Sequence, residues 1–122
     1  MIKIINPLEH LISLVSKKYP NLKCLILFNS DYQKENEGYA NTLFPDDGSD
    51  PIITIDGSVP FTDCLELIAH ELSHVICHQE FKIDLTTKSE KESHNDIWEK
   101  EFQSIFELFT NTYQTYYNTF NS

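Results

Sequence analysis

Apolar residues recur at Leu8, Leu11, Ile12 and Val15, the three-and-four spacing of one helix face, and the pattern stops at Tyr19-Pro20-Asn21. Ahead of it, Asn6-Pro7-Leu8-Glu9 has the form of a helix start, with Asn6 as cap, Pro7 in the first helical position and Glu9 reaching back three residues. The spacing predicts a helix over Pro7 to Lys18. Leu22 to Phe28 is short, apolar and bounded by turn residues, which predicts a buried strand. The polar stretch Asn29 to Gly38 is expected to be a loop. Tyr39 to Phe44 and Ile52 to Ile55 predict two further strands joined through PDDGSDP, Pro45 to Pro51, for a sheet of three strands with room for a fourth. The carboxylates of that joining loop lack the alternating ligand spacing and distal glutamate of an EF-hand, so a solvated turn is expected.

After Asp56-Gly57-Ser58-Val59-Pro60, either Thr62 or Asp63 can cap a second helix, with Glu66 three residues beyond Asp63. Leu65, Ile68, Ala69, Leu72, Val75 and Ile76 give that helix an apolar stripe to about Gln79. Phe81 to Ser93 is a charged connection. From His94 a last helical pattern carries Trp98, Phe102, Ile105, Phe106, Phe109, Tyr113, Tyr116 and Phe120, mostly three or four apart, toward the C-terminus. Helices and a small sheet in this order predict an α+β domain, and 122 residues suffice for one such core, spanning 1–122, but not two.

Composition narrows the function. The formal net charge is −10, and all nine basic residues are lysines. Arginine is the side chain suited to bidentate phosphate contacts, so nucleic acid is not an expected partner. MIKIINPLEHLISLV interrupts its apolar residues with Lys3, Glu9 and His10, unlike a signal peptide, and the longest apolar run, Cys24 to Phe28, is far short of a membrane span. A cytosolic protein without a membrane partner is therefore expected. Cys24, Cys64 and Cys77 are odd in number, sit among apolar residues and form no CxxC pair, which suits reduced core thiols.

The chemistry concentrates in His70-Glu71-Leu72-Ser73-His74 on the second helix. Histidines four apart lie on one helix face a turn apart, so both imidazoles can be directed at a single point and supply half a tetrahedral zinc shell. The glutamate after the first histidine is rotated away from the two ligands, where it can serve as general base toward a water activated at the metal. His78 continues the row, but a rise of 1.5 Å per residue sets it about 12 Å from His70, too far to share one ion. A catalytic site needs a third protein ligand. His94, four residues before Trp98, is the first candidate; His10 is the other remaining histidine, and Glu90, Glu92, Asp96 and Glu99 are carboxylate alternatives.

LELIAHELSHVI followed by HNDIWEKEF resembles the small HExxH zinc metallopeptidases of the SprT-like and WLM kind, over roughly Ile52 to Phe106. Their third zinc ligand is a histidine in an H-G-x-x-W/F segment opening a downstream helix; here Asn95 stands where that segment has glycine. The resemblance implies a minimal zincin fold, a zinc cofactor held by His70, His74 and His94, and Glu71 as general base. IAHELSHVICH is also similar, more distantly, to the ImmA/IrrE peptidases, whose downstream E-x-x-A-x-x-F-A segment is missing.

The function expected on this reading is hydrolysis of peptide bonds in a protein or peptide substrate. Zincins lay the substrate as an extended strand on a sheet edge, which Tyr39 to Phe44 or Ile52 to Ile55 could offer. A donor for the oxyanion is also required, with Tyr39, Tyr113 and Tyr116 as candidates. The alternative is a zincin scaffold that sequesters a partner without cutting it; an intact Glu71 speaks against this, since a scaffold has no need of a general base. A deformylase-like site would need a cysteine ligand, and Cys64 lies on a different helix face.

Overall fold

The computed structural model describes residues 7–83 and 94–121, with side chains described for 8–83 and 94–114. Its elements run α1 (Pro7–Lys18), β1 (Leu25–Asn29), α2 (Tyr32–Glu35), β2 (Ala40–Leu43), β3 (Ile52–Asp56), α3 (Phe61–Gln79) and α4 (Asp96–Asn121, the last helix). The architecture is α+β, four helices with a small mixed sheet. No helix among the described residues is long and apolar enough to cross a membrane.

The strand order is β1-β3-β2, with β1 parallel and β2 antiparallel to β3. Placing β3 in the centre explains its composition: Ile53 and Ile55 are fully buried, as a strand bonded on both sides and covered by a helix requires. Ile53 pairs with Ile26 and Thr42, and Ile55 with Phe28 and Ala40, which defines the face turned toward the helices. The opposite face carries Leu25, Leu27 and Leu43, each about half exposed.

α1 spans the expected range, and Leu11 and Val15 are its buried stripe; the proposed Asn6 cap lies outside the described residues. α3 buries Leu65, Ile68, Ala69, Leu72, Val75 and Ile76 between the sheet and α4, whose Ile105 and Phe109 complete the core. Its start differs from the expectation. Pro60, in extended geometry, occupies the cap position without a side-chain bond, and its carbonyl accepts the Cys64 N–H, so neither Thr62 nor Asp63 caps the helix. Proline presets this chain entry and forfeits no donor that a helix start could use. At the other end Lys82 takes a left-handed conformation, φ 57°, and the Ile83 N–H returns to the Cys77 carbonyl, a Schellman-type stop.

The stretch expected to be a loop contains the single turn α2. A long-range contact holds it: Asp56, buried at the end of β3, accepts the Gln33 N–H through Oδ2 at 2.9 Å. The Ser58 hydroxyl and N–H bond its Oδ1, and these three donors, Ser58's first, keep the carboxyl below its usual range. The loop between β2 and β3 is a turn closed by Gly48 N–H on the Pro45 carbonyl, with φ +79° at Gly48, a conformation that favours glycine.

Candidate metal centre

His70 and His74 project from the same side of α3, ring centroids 5.1 Å apart. His94 arrives from the chain just ahead of α4, its ring 4.9 Å from each of the other two. One nitrogen from each of the three falls within 4.8 Å of the others, an arrangement that one metal ion could occupy. The Nε2 atoms of His74 and His94 are 3.2 Å apart. Two nitrogens bound to one zinc at a tetrahedral angle stand about 3.3 Å apart, so this pair already has ligand spacing.

The position of His94 is built by α4. The helix begins at Asp96, two residues later than the sequence pattern suggested, because Asn95 is its cap: Oδ1 accepts the Trp98 N–H at 3.0 Å, and the Asn95 carbonyl accepts the Glu99 N–H. Asn95 thus has a structural task here. One turn on, the Trp98 indole donates to the His70 carbonyl at 3.1 Å, fixing α4 against α3. Trp98 also stacks on His94 at 4.3 Å and on Phe102 at 5.2 Å, and Phe102 stacks on Phe106. This ladder at four-residue spacing carries the imidazole of His94 beyond the helix start and over α3.

The surroundings keep His74 in its neutral form. Burial, followed by the charges His70 and His94 would carry if protonated, pushes His74 down to about 3. His74 is therefore neutral at ordinary pH, the form in which imidazole binds a metal. Its Nδ1 is buried and finds no hydrogen-bond partner among the described residues. A ligating histidine usually donates its second N–H to an oxygen, and an orphan of this kind costs about 1–3 kcal/mol, so His74 is a poor choice if stability were its only purpose.

Glu71, next to His70 on α3, is 7% exposed and accepts the Thr42 hydroxyl through Oε2 at 2.5 Å. Buried Tyr32 of α2 is close enough that the Glu71 charge adds to burial in raising its phenol above the ordinary value. Thr42 and Tyr32 were not singled out in the sequence. The inward parity of Thr42 on a strand between Asn41 and Leu43 was a usable signal; the approach of Tyr32 was not, since it depends on Asp56 anchoring α2.

Other candidates fall elsewhere. His78 sets Nδ1 3.1 Å from the Ile83 carbonyl and packs on Phe44, fastening the end of α3. His10 is exposed on α1, and Asp96 and Glu99 are exposed on the first turn of α4; none joins the histidine group. Glu90 and Glu92 lie outside the described residues. Tyr39 is half exposed, Tyr113 packs on Phe61 nine residues before His70, and the side chain of Tyr116 lies outside the description. All three cysteines are free thiols raised by burial, Cys77 to about 11 with help from Glu101, and none joins the cluster. Because β3 is bonded on both sides, Ile52–Asp56 cannot accept a further strand; β1 and β2 are the two edges of the sheet, and β2 packs on α3. Comparison with known proteins gives no match, either to a protein-family model, to a curated protein or to a solved structure.

Proposed function

We propose that the chain is a zinc-dependent metallopeptidase of minimal zincin type, SprT-like or WLM-like in plan, with His70, His74 and His94 as ligands and Glu71 as general base. The observation that carries this reading is the convergence of three imidazoles, two from α3 and one from the chain ahead of α4, with the His74–His94 pair at ligand spacing. A bare helix motif would not require the third. Zinc bound there would supply a Lewis acid for the scissile carbonyl and bring the pKa of a water toward 7. Glu71 takes the proton of the attacking water and returns it to the leaving amine. The substrate, a cytosolic protein or peptide on this proposal, lies extended along the open edge of β2.

Zinc-loaded wild type and Glu71→Gln, expressed in parallel and compared for new peptide termini in the host proteome, test the proposal. Termini that appear only with the wild type, at equal zinc content, support it. Equal biological activity of both proteins would instead favour the binding scaffold, for which the net charge of −10 speaks as a surface for a basic partner.

A further inference from the structure

The inner face of the sheet is apolar, Ile26, Ala40, Ile53 and Ile55, except at Thr42. A hydroxyl turned into such a face must find an acceptor, and this one donates to Glu71 at 2.5 Å. Threonine is stiff about χ1, so its hydroxyl direction is set by the β2 backbone. Within the sheet, β2 pairs with β3 alone among the described residues, and its other edge is open. The orientation of the Glu71 carboxylate is thereby tied to the strand along which a peptide would be laid.

We infer that Thr42 is a positioning residue, whose hydroxyl commits one oxygen of Glu71 to β2 and so fixes the direction in which the carboxylate meets a water at the histidine cluster. This rests on the peptidase reading above. A general base gains its rate from orientation as much as from basicity, since a misdirected carboxylate reaches fewer productive encounters. The Thr42 hydroxyl acts through Glu71 and not on the metal or the scissile bond.

Thr42→Val keeps the shape and removes the donor; Thr42→Ser keeps the donor. Two measurements separate the bond from its catalytic use. In thermal unfolding of the metal-free protein, Thr42→Val lowers the midpoint by about 5 °C with Glu71 present. In a Glu71→Ala background the same change leaves the midpoint unchanged or raises it, because the hydroxyl then has no acceptor. In hydrolysis of a quenched fluorescent peptide library by the zinc-loaded protein, Thr42→Val lowers kcat by about 10- to 100-fold with little change in KM, at unaltered zinc content, and Thr42→Ser restores most of it. Equal midpoint losses in both backgrounds, an unchanged kcat in Thr42→Val, or a Thr42→Ser as impaired as Thr42→Val would overturn the inference. Stability coupling without hydrolysis by the wild type would overturn the peptidase reading and leave Thr42 only the grip on Glu71.

Discussion

His74 makes the metal-free protein acid-labile between pH 7.5 and 5. Its pKa is about 3 when folded against 6.5 when unfolded. The folded value is the lower one, so the unfolded chain binds more protons below pH 6.5; the stability at stake is fully present above 6.5 and is lost as pH falls toward 3. Integrating the two titrations gives a loss of about 2 kcal/mol at pH 5 and about 3 kcal/mol at pH 4, large beside the 5–15 kcal/mol of an ordinary domain. Asp47 and Asp56 are lowered carboxylates whose contributions disappear only below the ordinary aspartate range, below the interval from pH 7.5 to 5. Urea unfolding in the presence of a chelator, at pH 7.5 and at pH 5, should show the midpoint falling by roughly 1 M. His74→Leu removes both the titration and the orphaned Nδ1. It should flatten the pH dependence and be at least as stable as the wild type at pH 7.5, the pattern of a residue kept for a site. Parallel curves for the two proteins between pH 7.5 and 5 would refute the buried neutral imidazole.

Trp98 is the single tryptophan and stacks on His94, so zinc titration should change its emission with one-to-one stoichiometry, and His94→Ala should abolish that change while leaving the unfolding midpoint without metal within a few degrees. At a free zinc concentration about 1,000 times Kd, the wild type should gain about 4 kcal/mol against unfolding, measured by urea denaturation. Asn95→Ala removes the cap of α4 and should cost about 1 kcal/mol by the same assay; since it also frees the chain carrying His94, zinc affinity should fall with it.

What was legible in the sequence is what the local chain decides. The span of α1, the stripe of α3 and the common face of His70 and His74 follow from helical periodicity, which each segment carries by itself. Loop chemistry is similarly local, as at Gly48. The order β1-β3-β2 is not, because nothing in Leu25–Asn29 states that its partner is Ile52–Asp56 and not the strand that comes next. From that order follow the open edge at β2 and the meeting of Thr42 with Glu71, two features the periodicity could not display. α2 was missed for a related reason: its four residues have no stripe of their own and are held by Asp56, more than twenty positions away.

His94 stands between these cases. Its place in the chain was legible through the ladder His94, Trp98, Phe102 and Phe106, a four-residue repeat that the stacked rings follow. Its arrival at His74 depends on how α4 lies across α3, and two bonds set that: the Asn95 cap, which starts the helix after His94 and leaves that residue outside it, and the Trp98 indole on the His70 carbonyl, which pins the first turn beside the first histidine. The acceptor of the indole bond is the backbone of a residue whose side chain belongs to the cluster. A shift of α4 by one turn, about 5.4 Å, would break that bond and separate His94 from His74 together, so the third histidine is held by the same contact that orders the helix pair.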